Sequence, residues 1–179
     1  YSMDDATVGI FLLNSPAETA KDTIDRARGQ GKSVGLMRPN ILRPFPFTQL
    51  KKATHTLSSL VIGERSDTPG SMGGPLSHEV RSTLIADHHC DAVAVSRVYG
   101  LGGKDFTEDD AMQLVDLGIK ASQEEVPFFG FIGTREGSGQ TLPPQVLPPL
   151  KREDLITPLV RLEKIEGKKN RLKAIVSDP

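Results

Sequence analysis

The chain has 179 residues and carries 22 Lys and Arg against 23 Asp and Glu, for a formal net charge of −1. That length can bury the core of one ordinary domain plus a tail, and the balanced charge offers no electrostatic footprint for nucleic acid. No apolar run approaches the ~18 residues of a membrane span, and the opening residues do not read as a signal peptide.

Cys90 is the single cysteine, so no internal disulfide and no cysteine cluster for zinc or iron–sulfur can form within the chain. This fits a reducing compartment, and a cytoplasmic location is expected. The sequence opens on Tyr1 rather than an initiator methionine, and a piece of something longer is the favoured reading.

In chain order, Thr7–Leu13 is an almost continuous apolar run, suited to a strand buried on both faces. Ser15-Pro16-Ala17-Glu18 reads as an N-cap, Pro at the first helical position and a capping-box carboxylate. Ala17, Ala20, Ile24 and Ala27 then recur on one helical face up to Gly31. Ser33–Met37 is the second strand. Arg38-Pro39, Arg43-Pro44 and Pro46 stiffen the loop that follows, because Pro fixes φ and pushes its predecessor out of helical geometry.

A short helix is predicted from Phe47 to about His55, and Leu60–Glu64 is the third strand. Four glycines and two prolines crowd the stretch "VIGERSDTPGSMGGPLSHEV" (61–80) before a third helix, which starts near Pro75 with Leu76, Val80 and Leu84 on its apolar side. Ala92–Val98 is the fourth strand. A second glycine corner, "YGLGGKDFTEDD" (99–110), leads into a helix that Thr107 caps with Asp110 three residues on. Its apolar side is Ala111, Leu114, Val115 and Gly118. Pro127–Ile132 is a candidate fifth strand. Strands alternating with helices in this way predict a parallel sheet covered by helices.

The composition shifts after Gly133. "TREGSGQTLPPQVLPPLK" (134–151) holds two Pro-Pro pairs and reads as an extended linker or arm. Residues 152–179 leave a hairpin around Gly167 and a surface helix both open. The basic Lys168, Lys169, Arg171 and Lys173 read as a solvated segment.

None of the candidate chemical motifs is complete. Gly70-Ser71-Met72-Gly73-Gly74 lies between a strand and a helix, where helix N-termini accept anions. Its spacing fails the dinucleotide fingerprint, leaving a tight corner needing positive φ or a small anion or partner phosphate as the two readings. Gly100-Leu101-Gly102-Gly103-Lys104-Asp105 lacks P-loop spacing, and Asp105 stands where a P-loop needs Ser or Thr. His88-His89-Cys90-Asp91 are consecutive and cannot easily converge on one ion. Ser71 falls short of a nucleophile elbow.

Three stretches nevertheless stand in the order and spacing of one domain: "VGLMRPNILRPFPFTQLKK" (34–52), "VIGERSDTPGSMGGPLSHEVRSTL" (61–84) and "YGLGGKDFTEDDA" (99–111). Together they resemble the transketolase C-terminal-like domain II of the 2-oxoacid:ferredoxin oxidoreductases, the pyruvate:ferredoxin oxidoreductase family, over roughly residues 4–120. In separately encoded members this domain is the C-terminal half of the alpha subunit. The resemblance implies a three-layer α/β fold with a mostly parallel five-stranded sheet, a domain expected over 1–133; the Pro-rich arm and C-terminal extension expected over 134–179 lie beyond the resemblance.

It also implies membership in a complex that oxidatively decarboxylates a 2-oxoacid to an acyl-CoA and passes electrons to ferredoxin. Thiamine diphosphate with magnesium and [4Fe-4S] clusters are then expected on partner domains or subunits, with CoA as co-substrate. The family's diphosphate motif begins Gly-Asp-Gly, which this sequence lacks, and cluster ligation needs several cysteines. No catalytic residue, metal ligand or bound cofactor is therefore expected here, and the isolated chain is expected to be inactive.

The residues expected to serve an interface or an anion are Arg43, Arg65, Gly70, Ser71, Gly73, Gly74, Gly102, Gly103, Lys104 and Asp105. Where the family often has Arg, Lys104 keeps the charge but loses the planar fork. The alternative function is an independent α/β module that holds a small anion, CoA or nucleotide phosphate at its glycine-rich loops.

Leu142, Val146, Leu147 and Leu150 punctuate the 134–151 segment, and its Pro-Pro pairs rule out a regular helix or central strand. A free polar linker would not need those side chains. The segment is expected to run as an arm across another domain or subunit. Limited proteolysis should cut it early in the isolated chain and spare it in an assembled complex; equal cleavage in both states would make it a plain linker.

Overall fold

The computed structural model describes residues 1–87 and 90–133, together with the backbone of 159–164 and 172–177. The chain divides into two units, Tyr1–Glu136 and Gly137–Pro179. In the first unit, strand and helix alternate as β1 (Val8–Phe11), α1 (Asn14–Gly29), β2 (Val34–Met37), α2 (Phe47–Thr54), β3 (Ser59–Glu64), α3 (Pro75–Ile85), β4 (Val93–Val98), α4 (Glu108–Ala121) and β5 (Phe129–Phe131). The five strands pair in the order β2-β1-β3-β4-β5, and every pairing is parallel.

The runs of β1, β2 and β3 are buried along their whole length, as expected for strands of a parallel sheet covered on both faces. Side chains alternate between the faces with period two. Val8, Ile10, Val61 and Val95 pack with α1 and α4 residues such as Ile24, Leu114 and Val115. Phe11, Leu60 and Ile62 face the other way, onto Leu50 of α2 and Leu76, Val80 and Leu84 of α3. The result is a three-layer α/β unit.

The helix starts are built differently. Before α4, the Thr107 hydroxyl accepts the Asp110 N–H at 3.2 Å and the Asp110 carboxylate accepts the Thr107 N–H at 2.9 Å. This is the predicted capping box. The one expected at Ser15 and Glu18 does not form. Helix α1 begins two residues earlier than Pro16, at Asn14, with no side-chain cap, and Glu18 instead pairs with Lys21 and Arg38. Two cationic partners outcompete one backbone donor for that carboxylate.

Strand β5 is short and stands at the edge. Two guanidinium groups hold the chain that leads into it: Arg97 of β4 donates to the Pro127 carbonyl at 3.0 Å, and Arg81 of α3 donates to the Phe128 carbonyl at 3.0 Å. Burial pushes the Arg97 and Arg81 pKa values below the usual guanidinium range. Arg81 also lies over the Phe128 ring, 5.0 Å from its centroid.

In the second unit, β6 (Leu159–Lys164) and β7 (Leu172–Ser177) pair antiparallel on either side of Gly167. Of the two forms left open for 152–179, the paired strands are the one found. The expected arm at 134–151 lies outside the described residues, as do His88 and His89.

Gly118 sets the spacing between helix and sheet. A Cβ there would come within 2.5 Å of Val8 Cγ1 and 3.1 Å of Val61 Cγ2, and the Gly118 carbonyl accepts the buried Ser59 hydroxyl of β3 at 2.7 Å. An ordinary Gly→Ala change inside a helix stabilises by about 0.5–1 kcal/mol. Here the sign should invert: Gly118→Ala should cost about 1–3 kcal/mol through overpacking, read as a lower urea midpoint at unchanged slope.

Candidate functional site

In a sheet of order 2-1-3-4-5 the chain leaves β1 toward one edge and β3 toward the other. The loops at their carboxyl ends diverge and open a crevice at that switch point. A cavity of about 370 Å³ lies there. Leu13 and Asn14 follow β1 into it, Arg43 and Phe45 reach it from the β2–α2 loop, and Glu64 and Arg65 end β3 at its edge. Leu76 and Glu79 of α3 and Tyr99 after β4 complete the wall.

Glu64 organises the crevice. Helix α3 begins with Gly74 at its N-cap position, which has no side chain to accept a hydrogen bond. The buried Glu64 carboxylate takes that role. It accepts the backbone N–H of Gly74 at 3.1 Å, of Leu76 at 3.0 Å and of Ser77 at 3.0 Å, and the Ser77 hydroxyl also donates to it. Negative charge is favoured at a helix start, and the donors that could cradle an anion are already bonded to this one. Gly74 must be glycine for this contact, since a Cβ would lie 2.4 Å from Glu64 Oε2 and 2.2 Å from the Ser66 carbonyl.

Two of the predicted arginines share the cleft but differ in state. Arg43 is tied to Glu79 of α3 through Nη2–Oε1 at 2.5 Å and Nη1–Oε2 at 3.2 Å. Arg65 has no ion pair among the described residues; it lies over the Tyr99 ring, 6.0 Å from the centroid. Gly100 makes room for it, because a Cβ there would sit 2.9 Å from Arg65 Nε.

Tyr99 is 3% exposed and is wedged by the Phe106 ring at 4.6 Å. Burial, working against the pull of nearby Arg65, pushes its phenol up to about 12. It is a neutral hydroxyl at physiological pH.

The remaining predicted residues do not line this cavity. Gly70 and Gly73, at φ +78° and +138°, shape the corner that delivers the chain to α3, and Ser71 Oγ lies 3.0 Å from His78 Nε2. Gly74 belongs to the Glu64 cap. Gly102 and Gly103, both at positive φ, form the turn after β4. Lys104 reaches toward Gly133, where a Cβ would be 2.9 Å from its Nζ. Asp105 is exposed beside it. Among the described residues no group of three or more His, Cys, Asp or Glu side chains could hold a metal ion.

Sequence reasoning missed Glu64, Glu79, Tyr99 and Asn14. Glu64 left a usable signal: a helix opening Gly-Gly-Pro has no side-chain cap of its own, so a carboxylate ending the preceding strand is the natural substitute. Asn14 left a weaker one, an Asn at a strand–helix junction, where it adopts φ +54° with little penalty.

All the cleft elements lie within residues 6–111, the segment matched by the family model for the pyruvate:ferredoxin oxidoreductase core domain II. The chain belongs to this family. Pyruvate synthase subunit PorA of Methanothermobacter thermautotrophicus is 32% identical over 115 residues, covering 64% of this chain and 28% of the relative. The alpha subunit of the NADH-dependent phenylglyoxylate dehydrogenase of Aromatoleum evansii is 33% identical over 117 residues, with 65% and 28% covered. A solved split-gene transketolase, an inactive beta4 tetramer, shares the fold with TM-score 0.51 at 16% identity, over 68% of this chain and 41% of that one. The chain thus spans about 28% of the length of these two curated relatives.

In this domain II the Glu64 cap has a measurable weight. Glu64→Gln keeps the shape but turns an amide NH₂ toward backbone donors, and should destabilise by about 1–3 kcal/mol in urea unfolding. A change no larger than an ordinary surface substitution, about 0.5 kcal/mol, would show that the carboxylate does not hold the helix.

Proposed function

We propose that this domain is a noncatalytic assembly element of a thiamine diphosphate-dependent 2-oxoacid:ferredoxin oxidoreductase. The complex would oxidatively decarboxylate a 2-oxoacid to an acyl-CoA and deliver the electrons to ferredoxin. The observation that carries the proposal is the match to core domain II over residues 6–111 in a chain that spans 28% of a PorA subunit. On this reading the remainder of such a subunit and its neighbours supply the reacting groups.

The donor set supports the division of labour. A [4Fe-4S] cluster needs four thiolates, and the sequence has one cysteine. A magnesium diphosphate needs uncommitted oxygen ligands. Of the cleft carboxylates, Glu64 is bonded to the start of α3 and Glu79 to Arg43. These residues do not fit either group, and we assign both to partner domains or subunits. The corner at Gly70–Gly74, whose Ser71 and Gly74 N–H groups are already paired, suits a surface against which another part of the enzyme packs.

Coexpression with the chains that carry the thiamine and cluster motifs is the test. The chain should enter a stoichiometric complex, and alone it should show no 2-oxoacid-dependent reduction of ferredoxin. A monodisperse monomer that never associates with those chains would overturn the reading.

A further inference from the structure

Inside the cleft two polar groups are left over once the protein's own pairs are formed. The first is the Tyr99 hydroxyl. Its ring is buried and locked against Phe106, yet among the described residues the oxygen has no hydrogen-bond partner. It is not sealed in either, for among the described residues Ser96 Oγ is the enclosed side-chain atom without a partner. A buried ring with an unpartnered hydroxyl that still meets open space is a donor aimed at something outside the fold.

The second is the Arg65 guanidinium. It lies over the same ring at 6.0 Å and no carboxylate of the described residues neutralises it, whereas the other cleft arginine, Arg43, is neutralised by Glu79. The charge balance selects the ligand. Arg43 and Glu79 cancel, and Glu64 is bonded to the start of α3. The four charged side chains of the lining sum to zero, and Arg65 is the cation among them with no paired carboxylate in the described residues, a partner for the single charge of a monoanion. A dianion such as phosphate would face the Glu64 and Glu79 carboxylates with one free cation to balance it.

The rest of the wall is apolar: Leu13, Pro16, Leu42, Phe45 and Leu76. A volume of about 370 Å³ is at the small end of ligand pockets, which hold an apolar body and fix it with a few polar contacts. We infer that the switch-point cleft is a binding site for a small monocarboxylate with a compact apolar body, its carboxylate held between Arg65 and the Tyr99 hydroxyl. The planar fork of Arg65 matches a carboxylate edge, and the neutral phenol adds one further donor to it. The proposal places the ligand apart from both glycine-rich loops and does not depend on assembly with other subunits.

The test is an amide NMR titration of the full 179-residue chain with 4-methylpentanoate, with 4-methylpentanamide and inorganic phosphate as controls. The carboxylate should shift resonances of Asn14, Arg65, Leu76 and Tyr99 saturably at millimolar concentration, and the amide and phosphate should bind at least about tenfold more weakly. Tyr99→Phe keeps the ring and its packing, and should weaken carboxylate binding by about tenfold; Arg65→Gln should do the same or more. If the Arg65 variant does not fold, Tyr99→Phe and the amide still decide. Equal binding of acid and amide, unchanged affinity in Tyr99→Phe, shifts confined to other surfaces, or no saturable shift would each overturn the proposal.

Discussion

A carboxylate buried at the carboxyl end of a central strand does the work of a missing helix cap. Helix α3 opens on Gly74 and Pro75, so its first N–H groups have no local acceptor, and Glu64 reaches across from β3 to take three of them. An unsatisfied buried donor costs about 1–3 kcal/mol, which makes the position of α3 relative to the sheet a consequence of this one side chain. Much else follows from it. The apolar side of α3, Leu76, Val80 and Leu84, closes one of the two cores. Glu79 on the next turn holds Arg43 and with it the proline-rich loop after β2. Gly74 is needed because the chain passes the carboxylate at close range, and Gly70 and Gly73 because their φ angles are positive.

The same arrangement determines what the crevice offers to a ligand. A helix start facing the switch point of an open parallel sheet ordinarily presents free donors and a partial positive charge. In this domain those donors are spent internally. Recognition shifts to the opposite lip, where Tyr99 and Arg65 stand on the end of β4 and the start of the β3–α3 loop. The lip is rigid for a packing reason: Tyr99 donates its N–H to the Glu64 carbonyl at 3.0 Å, so the residue that caps α3 also anchors the aromatic floor.

The elements were legible in the sequence because their signals are local. Continuous apolar runs gave β1, β2 and β3 to within a few residues, and Thr107 with Asp110 gave the α4 start and its cap. At Ser15 the same pattern misled, because Glu18 lies beside Arg38 of the following loop, a neighbour that helical spacing cannot reveal. The site was legible only in part. Arg43 and Arg65 stood out through family motifs, but their different states depend on Glu79 and Tyr99, each brought in by another element. Tyr99 reads as ordinary core until the fold shows its hydroxyl left without a partner among the described residues.

The guanidinium pair beneath β5 has a consequence for how the domain meets its neighbours. A short outer strand with unpaired backbone groups invites a foreign strand to extend the sheet. Arg97 and Arg81 hold the carbonyls at 127 and 128, so the approach to β5 is fastened by side chains as well as by its ladder to β4. The sheet therefore ends in a selvage, a margin bound off against unravelling by side chains of β4 and α3.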